Sequence, residues 1–204
     1  MEEPFVTRGF QGKGQNPTQK PLPPGQHEAH DFPVLSAGPT PKVPLAKWEL
    51  RVEGMVANPL LFSWQEFLQL PAHSFQVDIH CVTKWSKTDT PWRGVSLQTI
   101  LGQATPLAEG KYLMLHCYGG YTTNVPLADV LHDKAFIAFE YEGYPLTPEH
   151  GGPARVVVPH LYFWKSAKWI HKLEVMAEDK VGFWESIGYH HYGDPWKEQR
   201  YEEE

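Results

Sequence analysis

Cysteine is scarce in this chain: 204 residues carry two, Cys81 and Cys117. Two thiols cannot build the disulfide framework of a small secreted domain. No Cys-x-x-Cys, His-Glu-x-x-His or Cys-x-x-Cys-His run occurs, which excludes the usual spacings of structural zinc and of covalently attached haem. Long apolar runs are missing too. Nothing approaches the ~18 apolar residues of a membrane-spanning helix. Residues 1–15 show neither an apolar core nor the paired arginines of an export signal. The expectation is a cytoplasmic protein with reduced thiols and no membrane span. Positive charge is in deficit: 18 Lys and Arg against 24 Asp and Glu leave −6. That argues against nonspecific nucleic-acid binding, which needs a basic field to release counterions. One local anion pocket stays compatible with it.

Proline, glycine and tryptophan are abundant, at 19, 17 and 8. Proline at this density forbids long uninterrupted helices, and many indoles imply an aromatic-lined interior or pocket. The length fits one domain. Residues 1–44 are rich in Pro, Gly and Gln and read as an extended N-terminal arm, partly flexible before about residue 20 and wrapping the domain from Phe32. Residues 45–204 read as the domain.

Alternation at Trp48–Glu53 and Phe75–Ile79 predicts half-buried strands. Ser63 with Glu66 is a capping box, predicting a short helix through about Leu70. Residues 82–94 read as a polar, Trp-bearing loop and Leu97–Leu101 as a short helix. Strands follow at Lys111–Cys117, Ala135–Tyr141, Arg155–Val158 and Trp169–Met176, with a helical turn at Pro126–Leu131 and a last short helix at Phe183–Ile187. Strands with brief helices predict an α+β fold with mixed or antiparallel sheet.

Cys81 ends a predicted strand and enters the loop Cys81-Val82-Thr83-Lys84-Trp85-Ser86. A neighbouring Lys84 would favour a thiolate, which serves as a nucleophile or a soft metal ligand. A buried, inert cysteine is the plain alternative. Downstream, His150-Gly151-Gly152-Pro153-Ala154-Arg155 joins two glycines that permit close backbone approach to an arginine fork. Lys165-Ser166-Ala167-Lys168-Trp169 adds two cations and a hydroxyl, a plausible anion clamp. His190-His191 near the end reads as a solvated pair.

The runs Gly143-Tyr144-Pro145-Leu146, His150 to Pro159 and Lys165 to Trp169, at their spacing from Cys81, resemble the oxidoreductase molybdopterin-binding domain of the sulfite oxidase family. The likeness is closest to small bacterial sulfite oxidase-like proteins related to the methionine sulfoxide reductase catalytic subunit. It covers about residues 45–178. It implies a sulfite oxidase-type fold of mixed sheets, short helices and long ordered loops. It implies one molybdenum held by a single molybdopterin and the Cys81 thiolate; no haem is expected, because no Cys-x-x-Cys-His run occurs. His150, Arg155, Lys165, Ser166, Ala167 and Lys168 then match cofactor-binding positions, with Cys117 beside them where relatives supply a small hydroxyl side chain. Lys84 and Tyr121, with His80, are candidates to polarise substrate or move protons. The implied activity is oxygen-atom transfer or reduction on a small S- or N-oxide-type substrate, with a separate electron-transfer partner. The animal and plant pattern of several arginines near the ligand cysteine is absent: no Arg precedes Arg93 in this loop. An acidic residue two places after the cysteine in reductase-type relatives is here Thr83. Trp85 and Trp92 would wall the pocket. The competing classes are a non-catalytic pterin-binding scaffold and a cysteine hydrolase using Cys81 with His80 or His150.

Overall fold

Leu50 and Val52 lie fully buried while Glu49, Arg51 and Glu53 look outward. This is the pattern of a strand covered on one face. The computed structural model describes residues 20–132 and 134–203. The expected flexibility before residue 20 therefore lies outside the described residues. Along the chain run β1 (His27–Glu28), β2 (Glu49–Gly54), β3 (Leu60–Ser63), α1 (Trp64–Leu68), β4 (Ala72–His80) and β5 (Trp85–Ser96). There follow α2 (Leu97–Ala104), β6 (Tyr112–Cys117), β7 (Thr122–Pro126), β8 (Phe136–Tyr141), β9 (Tyr144–Pro145), β10 (Arg155–Val157) and β11 (Ile170–Met176). Short 3₁₀ turns fill several connections, including Phe163–Lys165 and Glu185–Ile187. The fold is α+β.

Among the described residues the strands form two sheets. One runs β3-β2-β11-β6-β7, with β11 parallel to β2 and antiparallel to β6. The other is built around β5, which pairs with β1, β4 and β8; β8 pairs in turn with β9 and β10. The main core packs Leu50, Val52, Ile100, Leu101, Leu113, Leu173 and Val156. Each such side chain contributes about 1.5–3 kcal/mol of burial. A second cluster gathers Ile79, Cys81, Trp85, Trp92 and Phe136, so the candidate cysteine stands on packed ground. No helix among the described residues is long and apolar enough to cross a membrane.

The capping box at Ser63 is present in both directions: Ser63 N–H donates to Glu66 and Glu66 N–H to Ser63. Three expectations need correction, for residues 82–94, the far end and the arm, and one strand was not anticipated. Residues 85–96 are a strand, not loop: Thr90, Trp92 and Gly94 are buried between exposed Asp89, Pro91 and Arg93, and polar residues on the buried face, Ser86 and Thr90, concealed the alternation. Thr122–Pro126 is a strand paired with β6. At the far end only Glu185–Ile187 turns, as one 3₁₀ turn. The arm engages earlier than Phe32: β1 runs parallel to Trp85–Ser86, and the Pro24 carbonyl accepts from Arg200 Nη2 at 3.2 Å.

Candidate functional site

β4 ends at His80, and the chain reverses over Cys81–Lys84 to start β5. Lys84 takes φ +71° to close that turn. The Cys81 N–H donates to the Trp85 carbonyl at 2.8 Å, and the Cys81 carbonyl accepts from Lys84 N–H at 3.0 Å. Gln26 of the arm adds a second donor to that carbonyl at 3.1 Å. The peptide carrying the thiol is thus fixed on both sides. Cys81 is 7 % exposed. Burial pushes its thiol up from the ordinary value, opposed by the Thr83 hydroxyl and by the N–H groups of Thr83 and Val82. No cation enters that balance. Lys84 is exposed and forms no part of the cavity wall, contrary to its expected role beside the thiol. Alternation along β4 turns His80 the other way, with Nδ1 2.8 Å from Ser86 Oγ. It does not line the cavity, so the hydrolase pairing of Cys81 with His80 does not form.

A cavity of about 400 Å³ brings Cys81 together with Tyr121, His150, Arg155, Ser166, Ala167 and Lys168. Arg155 opens β10 and is 1 % exposed. Its Nη1 donates to the His150 carbonyl at 3.0 Å and Nη2 to the Ser166 carbonyl at 2.6 Å. Its Cζ sits 4.2 Å from the Phe163 ring centroid. Burial pulls Arg155 down to about 9, which leaves it cationic at neutral pH. Lys168 donates to two more carbonyls, of Leu35 at 2.8 Å and Glu149 at 2.6 Å. Burial, then the Arg155 charge, pulls it down to about 8. Among the described residues neither cation has a carboxylate within 4 Å. A fully buried cation with no ion-pair partner, Arg155, beside a half-buried one, Lys168, is costly unless an anion joins them.

Gly151 holds this pair close. At its φ of +103° a Cβ would stand 3.0 Å from the Cβ atoms of both Arg155 and Lys168. A Cβ on Gly152 would strike the Leu146 carbonyl. The two glycines therefore serve close internal packing, and neither lines the cavity. The His150 ring stacks on Phe32 at 4.2 Å. Burial and the two cations lower its pKa, so it stands neutral near pH 7. Ser166 Oγ accepts from Val158 N–H at 2.9 Å. The backbone N–H groups of Ser166 and Ala167 are already spent on Phe163 and Lys165 carbonyls. Anion contact therefore falls to side chains.

Two expected cofactor residues stand elsewhere. Lys165 is fully buried, 2.6 Å from Glu185 Oε1 and within 3.0 Å of Asn124 Oδ1. It binds the chain's own carboxylate, being drawn inward by Glu185, and does not line the cavity. Cys117 belongs to the main core, where burial pushes its thiol far above the ordinary range. Trp92 is also a core residue, its Nε1 given to Thr90. Tyr121 does line the cavity, but its hydroxyl is committed to the Trp164 carbonyl at 2.7 Å. His190 and His191 bond locally, to the N–H groups of Tyr192 and Gly193 and to Glu202. Sequence reasoning missed Phe32, Leu35 and Pro39 of the arm and Trp164, Trp184 and Tyr189 as wall. Apolar residues inside a proline-rich arm were the available signal.

The sequence profile described as the oxidoreductase molybdopterin binding domain matches residues 37–184. The uncharacterized oxidoreductase YuiH of Bacillus subtilis (strain 168) is 45 % identical over 181 residues, covering 88 % of this chain and 91 % of that protein. The putative protein-methionine-sulfoxide reductase subunit YedZ1 of Azospira oryzae is 30 % identical over 153 residues, 74 % of this chain and 58 % of its own length. The sulfane dehydrogenase SoxCD of Paracoccus pantotrophus shares the fold at a TM-score of 0.62 and 19 % identity, with 86 % of this chain and 58 % of that chain covered. The chain thus spans a little over half of the latter two. The profile spans most of the residues that line the cavity, and with the 45 % identical relative it shows that the chain belongs to the oxidoreductase molybdopterin binding domain family, as a molybdopterin-dependent oxidoreductase.

Proposed function

We propose that the cavity holds one molybdenum with one molybdopterin, ligated by Cys81, and that the protein transfers an oxygen atom to or from a small S- or N-oxide-type substrate. The carrying observation is Arg155: a buried guanidinium with no carboxylate partner among the described residues, on the same cavity as the Cys81 thiol. The donor set fits such a group. Among the described residues Arg155 Nε, His150 Nδ1 and Trp85 Nε1 are buried without a hydrogen-bond partner, and all three residues line the cavity. Arg155 and Lys168 would hold the phosphate, and His150 and Trp85 the polar edge of the pterin. Cys81 would supply a soft thiolate to the metal. When bound, the group supplies two-electron oxygen-atom exchange; the protein orients it and excludes water.

The substrate class follows from what remains of the wall. The arginine and lysine of the cavity are taken by the cofactor's own anion, and the rest is largely aromatic: Trp85, Phe163, Trp164 and Trp184. Such a wall suits a neutral sulfoxide or N-oxide better than a dianion. The proposal includes a separate electron-transfer partner and a cytoplasmic location, where the two free thiols stay reduced. It also keeps residues 45–204 as the cofactor-binding domain, with the arm lending one wall. The test is a dye-linked screen of sulfite, sulfoxides and N-oxides. Turnover of a sulfoxide or N-oxide, lost in a folded Cys81→Ser variant, is expected. Turnover confined to sulfite, or undiminished turnover in metal-loaded Cys81→Ser protein, would contradict it.

A further inference from the structure

We propose that Thr83 is a positioning residue for the metal-ligand sulfur, its hydroxyl donating to Cys81 Sγ and withdrawing charge from it. This rests on the reading of Cys81 as the molybdenum ligand. The Thr83 Oγ1 lies 3.2 Å from Sγ and donates to it. Both residues line the same cavity.

Among the described residues the Thr83 hydroxyl is the side-chain donor to this sulfur, and it depends on the identity of that residue. A β-branched threonine has few χ1 choices, so the hydroxyl is held ready.

The loop keeps its shape without that side chain. Its anchors are the Cys81 N–H to Trp85 bond, the Lys84 N–H to Cys81 bond and the Gln26 contact. Thr83 itself is exposed and packs into no core cluster. Replacing it changes the electronics of the sulfur while Cys81 stays in place.

A hydrogen bond to a ligating thiolate lowers the energy of the sulfur lone pair and weakens its donation to the metal. Weaker donation makes the metal easier to reduce. Thr83 therefore raises the reduction potential of the site. Valine is the isosteric probe, and serine restores a hydroxyl.

The experiment uses the molybdenum-loaded protein without substrate. Molybdenum content, the sulfur-to-metal charge-transfer band and the midpoint potential are compared in parent, Thr83→Val and Thr83→Ser proteins. We expect equal molybdenum content in all three. In the valine variant the band moves to longer wavelength and the potential becomes more negative; serine brings both back toward the parent. A structural role would move neither in the absence of substrate. Parent band and parent potential in fully loaded Thr83→Val protein overturn this inference alone. Absence of molybdenum from the parent protein overturns the cofactor reading and this inference with it.

Discussion

Arg155 is the most exacting residue of the molecule. It gives two of its donors to carbonyls and keeps Nε unpaired in a water-poor place. Charge-assisted hydrogen bonds of a guanidinium to phosphate contribute about 1.5–3 kcal/mol each. Arg155→Gln should therefore weaken cofactor retention by roughly 10- to 100-fold, read as pterin fluorescence released on dilution. Arg155→Lys should recover little, because an ammonium cannot reproduce the fork. Lys168 makes a pH prediction. Its pKa is about 8 in the folded chain against 10.5 in the ordinary state. Between those values the unfolded chain binds more protons, so stability rises with pH across the window. Below about 8 both states are protonated and the destabilisation is complete. The melting temperature of cofactor-free protein, followed from pH 7.5 to 10.5, should show a rise that Lys168→Gln flattens. A rise of equal size in both proteins would remove Lys168 as its source.

At the scale of elements, one buried ion pair joins two parts of the wall. Lys165 belongs to the Phe163–Lys165 turn and Glu185 to the segment that brings Trp184 and Tyr189 to the cavity. Glu185 Oε1 also accepts from Thr123 and from Trp164 Nε1. Removing one partner leaves an uncompensated buried charge, at about 3–5 kcal/mol. Lys165→Met should lose stability of that order in urea unfolding. Lys165→Met with Glu185→Gln should lose clearly less. Equal loss in the single and double variants would show that the pair itself is not what matters. Reading Lys165 as a cofactor contact was natural, because a lysine in a cationic run looks the same whether it meets a phosphate or an interior glutamate. The elements that alternation revealed, β2 and β4, each have one apolar face. β5 and β7 were hidden by threonine, serine and asparagine at buried places: Thr90, Thr123 and Asn124 are buried and polar.

At the scale of the whole molecule, the chain folds its start against its cofactor wall. Phe32 stacks on His150, and the Leu35 carbonyl holds Lys168. Proline-rich composition identifies an arm but not what it covers, since those contacts join residues more than a hundred positions apart. The residues of the candidate site were legible where chemistry and local spacing coincide. Cys81, His150 and Arg155 fall on one cavity. They were illegible where tertiary placement decides, as for the exposed Lys84 and the core Cys117. The net charge of −6 is likewise an average: it conceals one local cationic corner, the buried Arg155 with the half-buried Lys168, and among the described residues neither forms an ion pair with a carboxylate.

The central claim is that this corner and Cys81 together hold a molybdenum–molybdopterin group. The direct measurement is molybdenum and pterin content of the protein purified from a host able to make the cofactor, alongside Arg155→Gln. About one of each per chain in the parent, with both reduced in the variant, is the predicted result. A folded parent protein carrying neither would contradict it.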